Sequence, residues 1–188
     1  MVRDVQLHAA SVLTIDVSPA GPEDPSRGGG MERSGMRVPE ALEALMREAL
    51  GEAELAPETG DLPIGALVVD AGGRILGRGR NRREADADPT AHAEILAIRE
   101  ASAALGSSRL DGMTLVTTLE PCAMCAGAAL TARIGRVVFG AWDDKAGAAG
   151  SRYDLLRDRR LPLAAEVVGG VLEEECAAPL RAFFRDSP

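Results

Sequence analysis

Two short motifs, each standing before a helical run, constrain this chain more than any other feature. They are His92-Ala93-Glu94 and, about thirty residues later, Pro121-Cys122-Ala123-Met124-Cys125. Together they offer one imidazole, two thiols and a carboxylate. Three protein ligands of this kind leave one tetrahedral position of a zinc ion open, as catalytic rather than structural sites do. The chain holds 3 Cys and 2 His, so a closed site would have to recruit Cys176 or His8. Neither has ligand-like spacing to anything nearby. A redox pair at Cys122 and Cys125 would leave the His-x-Glu without a role. Three cysteines, two already assigned, fit a reducing cytoplasm better than a disulfide framework.

The rest of the chain reads as one domain with an extension. Residues 1–37 mix Pro, Gly, Ser and charge without a sustained period and are expected to be disordered. Met31 and Met36 are plausible internal starts. Residues 38–188 form the working domain. Its first helix is expected near Pro39, at an N1 position, with Leu42, Leu45, Met46 and Ala49 on one face. Ile64 to Asp70 and Arg74 to Arg80 read as a hairpin around Ala71-Gly72-Gly73. A polar loop, Asn81 to Ala87, leads to Asp88 or Thr90 as the cap of a helix bearing His92 and Glu94. Leu115 to Leu119 is a strand, and Pro121 opens a helix whose first turn holds both cysteines. Arg136 to Trp142 and Glu166 to Gly169 are further strands. Val171 to Arg185 is a final helix, interrupted by Pro179. Helices alternating with short apolar strands after a hairpin indicate an α/β fold, a three-layer α/β/α sandwich around a five-stranded mixed sheet.

Both ligand segments begin helices, where the positive end of the dipole favours anions and lowers a thiol's pKa, so both cysteines can bind as thiolates. The three-residue spacing of Cys122 and Cys125 puts their sulfurs on one turn. Glu94 projects from the same first turn as His92 toward the open position. There it can accept a proton from a water whose pKa such a site brings to roughly 7. His-x-Glu followed by Pro-Cys-x-x-Cys is the pattern of the zinc nucleobase deaminases, which are hydrolytic.

Longer stretches narrow the resemblance. Leu62-Pro63-Ile64-Gly65-Ala66-Leu67-Val68-Val69, Asp88-Pro89-Thr90-Ala91-His92-Ala93-Glu94-Ile95, Thr118-Leu119-Glu120-Pro121-Cys122-Ala123-Met124-Cys125-Ala126-Gly127-Ala128 and Lys145-Ala146-Gly147-Ala148-Ala149-Gly150-Ser151 resemble the bacterial tRNA-specific adenosine deaminases. The resemblance runs from about residue 39 to 185. It implies a cytidine-deaminase-like fold, one zinc ion per subunit and a homodimer. The reaction it implies is conversion of the wobble adenosine to inosine in the anticodon of an arginine tRNA. By that resemblance His92, Cys122 and Cys125 are zinc ligands, Glu94 is the proton shuttle, and Asn81 hydrogen-bonds the target base. Asp143 contacts the RNA beside that base, and the tRNA anticodon stem-loop is the partner. Trp142 stands where an arginine is common and offers a ring on which a base could stack.

Charge leaves an alternative open. The net charge is −8, and residues 1–37 hold 4 basic and 5 acidic residues, so the imbalance lies in the body. For a polyanionic partner, distribution matters more than the sum. Arg74, Arg78, Arg80, Arg82 and Arg83 form one cluster, and Arg152, Arg157, Arg159 and Arg160 another. Each could be an RNA-facing patch or an ordinary solvated face. A deaminase of a free nucleobase or nucleoside, of the cytosine or guanine type, would use the same chemistry and suit the acidic balance. A non-catalytic RNA-binding subunit is a third reading, against which Glu94 speaks. No run of eighteen apolar residues occurs, so no membrane span is expected, and the expected location is cytoplasmic.

Overall fold

The computed structural model describes residues 39–186; the expected extension, residues 1–37, lies outside them. Five strands form one mixed sheet in the order β2-β1-β3-β4-β5. Strands β1 (Gly65–Val69) and β2 (Ile75–Arg80) make the expected antiparallel hairpin, and β1 also pairs antiparallel with β3 (Thr114–Leu119). Strands β4 (Arg136–Ala141) and β5 (Glu166–Val168) then add in parallel. Successive residues of β1 go to opposite cores, as a period of two requires. Ala66 and Val68 pack in one cluster, Leu67 and Val69 in the other. A strand buried on both faces must be apolar throughout, and Gly-Ala-Leu-Val-Val is.

The first cluster lies under α3 (Ala93–Leu105) and α4 (Ala123–Thr131), through Ala93, Ala97, Ala101, Ala126 and Ala129. The second lies under α1 (Glu40–Glu54) and α5 (Glu173–Asp186), through Met46, Ala49 and Cys176. These are the three expected layers. No helix among the described residues is long and apolar enough to cross a membrane.

Several boundaries differ from expectation for physical reasons. Pro39 is the N-cap of α1, extended as its ring allows, rather than its first helical residue. The polar loop after β2 contains a one-turn helix, α2 (Arg83–Asp86). Neither Asp88 nor Thr90 caps α3: the Asp88 carboxylate accepts the backbone N–H and the hydroxyl of Thr90 (both 2.7 Å), closing its own turn. Helix α5 starts at Glu173, later than expected, and runs through Pro179 without a break. Cys176 is buried as a small hydrophobe, 1% exposed.

One packing feature places the site. Because β2 and β3 both run antiparallel to β1, the chain leaves both at the same end of the sheet's strands. Helices α3 and α4 therefore start side by side. Helix α3 lies directly on β2, where Gly77 and Gly79 face Ala93, Ala97 and Ala101. A methyl at Gly79 would overlap the Ala93 carbonyl, and one at Gly77 the Ala97 carbonyl. Only backbone and methyl groups fill that contact, so it cannot yield locally. Gly79→Ala is expected to destabilise the fold by about 2–3 kcal/mol, the cost of overpacking a rigid core. Thermal denaturation of the two proteins measures it.

Candidate active site

The two ligand motifs meet at that shared end of the sheet. His92 is the N-cap of α3 (φ −74°, ψ 152°) and Cys122 the N-cap of α4 (φ −70°, ψ 174°). Cys122 was expected inside the first turn, and His92 likewise; both instead stand one step before it. Glu94 and Cys125 do lie in the first turns. An N-cap side chain is normally spent on its own helix, but neither makes a cap hydrogen bond here. Both point to a common centre. His92 Nδ1 is 3.7 Å from Cys122 Sγ and 3.5 Å from Cys125 Sγ. All three donor atoms lie within 4.8 Å of one another.

That spacing fits zinc. On a tetrahedron with Zn–S about 2.3 Å and Zn–N about 2.0–2.1 Å, nitrogen and sulfur stand about 3.6 Å apart. One imidazole and two sulfurs are the donor set zinc prefers, and three protein donors leave a fourth position for water. Charge is arranged to match. The Cys125 thiol hydrogen-bonds Cys122, and with His92 beside it this holds the Cys122 thiol down at about 3, a thiolate. Cys125, which supplies that hydrogen bond and is buried, is pushed the other way. The thiolate contact raises His92. Burial pushes Glu94 up to about 7, so its proton is easily gained and lost near neutrality.

A cavity of about 140 Å³ opens beside this group, lined by His92, Glu94 and Cys122 on one side and by Asn81, Glu120 and Asp143 on others. Asn81 is 4% exposed, and its Oδ1 has no hydrogen-bond partner. Its backbone N–H bonds Ile64 O (2.9 Å), so the backbone holds the residue in place while the amide is left for something else. A buried acceptor without a donor costs about 1–3 kcal/mol, which a bound ligand would recover. Asp143 Oδ1 accepts the N–H groups of Lys145 (2.9 Å) and Ala146 (3.2 Å), which fixes its side chain at the cavity wall. Trp142 is 44% exposed and stands edge-on to Phe139, ring centroids 4.7 Å apart. All six expected site residues thus come together.

The arginine clusters do not. Arg74, Arg78, Arg80 and Arg82 pair with Asp70, Glu48 and Glu52, Glu52, and Asp86 respectively, and Arg157 and Arg160 with Asp154 and Asp158. Among the described residues of the first cluster only Arg83 lacks a carboxylate partner, and it lines the cavity.

Sequence reasoning missed two buried acids. Asp61, 1% exposed, accepts the N–H groups of Glu84 (2.8 Å) and Ala85 (3.1 Å) and the Thr59 hydroxyl (2.8 Å). It thereby caps α2, next to Asn81. Glu120, also 1% exposed, accepts three backbone N–H groups from the loop after β4. A buried carboxylate needs such donors, so each marks a loop that must hold its shape.

The chain matches the family model of the cytidine and deoxycytidylate deaminase zinc-binding region over residues 39–141. It is 52% identical over 144 residues to the tRNA-specific adenosine deaminase of Bacillus subtilis strain 168, covering 77% of this chain and 89% of that protein. A tRNA:A34 deaminase structure, from work on A-to-I editing at the wobble position of transfer RNA, superposes with a TM-score of 0.70 at 44% identity. It covers 73% of this chain and 99% of the other. The guanine deaminase from Nitrosomonas europaea superposes with a TM-score of 0.68 at 26% identity, covering 87% of this chain and 98% of the other.

Asp61 makes a prediction about acid. Burial pushes its pKa up, but the hydrogen bonds from Glu84, Thr59 and Ala85 outweigh this and hold it below the ordinary 3.8. A depressed folded-state pKa stabilises above the unfolded value, and that stability is lost as pH falls through the folded one. Asp61→Asn is therefore expected to cost about 2 kcal/mol at pH 7, the difference from wild type closing below about pH 4. Denaturant melts across pH 2–7 check this.

Proposed function

This chain belongs to the cytidine and deoxycytidylate deaminase family, and we propose that it is a zinc-dependent tRNA adenosine deaminase. Its substrate is the wobble adenosine of an anticodon, that of an arginine tRNA, and its product is inosine. The observation that carries this reading is one cavity lined by Asn81, whose buried Oδ1 has no partner, by Glu94, and by His92 and Cys122 of the His92, Cys122 and Cys125 donor group. High identity to tRNA-specific relatives supports RNA over a free base, since the guanine deaminase is only 26% identical.

His92, Cys122 and Cys125 would hold zinc, which when bound supplies Lewis-acid activation of water. The protein's residues do the rest. Asn81 hydrogen-bonds the edge of a flipped-out adenine, and an unpaired anticodon loop presents that base at little unstacking cost. Glu94 takes a proton from the attacking water and delivers it to ring N1. As the new C6–O bond stands and the C6–N bond breaks, Glu94 moves the second proton to the departing amine. Water and adenosine go in; inosine and ammonia come out. Asp143 and Arg83 flank the base at the cavity wall, and the unpaired Arg83 guanidinium is suited to a phosphate.

The outward residues of α4, Ala123, Met124, Gly127 and Ala128, are apolar or small and at least partly open. A helix without charge wants cover on both sides, which supports a homodimer. A cytoplasmic location goes with a tRNA substrate.

The test is inosine formation in an arginine anticodon stem-loop with adenosine at the wobble position, with free adenine, guanine and cytosine assayed for ammonia. Wild-type enzyme is expected to make inosine. Glu94→Ala is expected to keep one zinc ion by metal analysis yet lose about 10²–10⁴ in rate. An active Glu94→Ala protein would sink the mechanism, and ammonia from a free base without inosine would move the chain to the small-molecule branch.

A further inference from the structure

The cavity wall opposite the helix starts is the loop after β4, residues 142–151, which has no regular structure of its own. One carboxylate organises it. Glu120 Oε2 accepts the Asp143 N–H (3.1 Å), and Oε1 accepts those of Ala149 (2.9 Å) and Ser151 (3.0 Å). The Ser151 hydroxyl completes the ring by donating to the Asp143 carbonyl (2.7 Å). Glu120 stands two residues before Cys122. That ligand segment touches the same loop again: the Ala148 N–H donates to the Pro121 carbonyl (2.8 Å), and Cys122 bridges Gly147. Space is closed as well. A methyl at Gly147 would overlap the Glu120 carboxylate.

We propose that Glu120 is a positioning residue for the deamination, setting Asp143 against the substrate through its N–H while locking the loop to the ligand segment. The proposal rests on the deaminase reading above. Glu120 accepts three backbone N–H groups and also has the Ser151 hydroxyl beside it; it lines the cavity as well, and the influence on substrate proposed here is the part that runs through Asp143. Its two oxygens are not equivalent in this. Oε1 accepts two backbone N–H groups in the loop's far half, and Oε2 accepts one, that of Asp143. An amide in place of the carboxylate can keep its one oxygen on the pair, and its NH₂ then confronts the Asp143 N–H. Glu120→Gln preserves shape and volume but turns that single contact from attraction to repulsion.

The experiment is a double-mutant cycle of Glu120→Gln and Asp143→Ala, with KM, kcat and zinc content measured for all four proteins. Glu120→Gln is expected to raise KM roughly tenfold, the loss of one charge-assisted hydrogen bond, with kcat within about threefold and zinc at one per chain. Asp143→Ala is expected to raise KM to a similar degree, and the double variant to be no worse than Asp143→Ala, because coupled residues are non-additive. Additive losses, or loss of zinc in Glu120→Gln, would overturn the proposal. If Glu120→Gln is insoluble, Gly147→Ala takes its place, pressing on the same carboxylate, with the same non-additivity expected. Wild-type inosine formation separately tests the deaminase reading. If the wild type instead deaminates only a free purine, the cycle is run on that purine, and non-additivity is still expected because Asp143 lines the cavity.

Discussion

Everything at the site depends on how closely α3 lies on β2. Gly77 and Gly79 let the helix backbone come down onto the strand, and the alanines at 93, 97 and 101 keep it there. The contact is short-range dispersion between groups with no freedom to rearrange, so it behaves as a hard stop. That stop sets the height of the α3 N-terminus above the sheet, and so where His92 stands relative to Cys122 and Cys125. Strand direction does the remaining work, since β2 and β3 both finish at one end of the sheet. Metal-ligand geometry within tenths of an ångström is thus inherited from backbone packing.

Electrostatics divides into an exterior of mostly paired arginines with an excess of acids and a tuned interior. Most arginines outside the site are matched by acids a few residues or one strand away, and exposed pairs of this kind contribute little to stability. They do remove positive potential from the surface. Among the described residues Arg83, at the cavity, has no carboxylate partner, and neither have Arg152 and Arg159 of the second cluster. Inside, burial lifts Glu94 toward neutrality while thiol and imidazole neighbours depress Cys122. Opposite shifts in adjacent groups of one pocket mark a candidate functional site.

The ligand set and Glu94 were readable because their spacing is local: two residues in one motif, three in the other, each at a helix start. The sheet and its layers were readable because a doubly buried strand such as β1 has to be apolar along its length. The Asn81 and Asp143 positions came from extended resemblance, and the cavity brings both to the same place. What could not be read was the support. Asp61 reaches donors 23 and 24 residues away, and Glu120 donors 23 to 31 residues away. A carboxylate that accepts backbone N–H groups leaves no mark on the identity of the residues it holds. Helix α2 was hidden for the same reason, its single turn resting on Asp61 rather than on any period of its own. The capping expectation at Asp88 failed because a closer donor, Thr90, won the carboxylate.

The placement of His92 and Cys122 at N-caps has a cost that belongs to fitness rather than to geometry. Histidine and cysteine occupy the two positions where Ser, Asn or Asp would do most for a helix start. The reaction has displaced the residues that stability alone would choose. In the metal-free protein, Cys122→Ser would be expected to gain up to about 1 kcal/mol of helix capping while abolishing turnover. Selection for thermal robustness alone would therefore drift toward a sturdier, inert descendant of this fold, with an intact sandwich and silent helix starts.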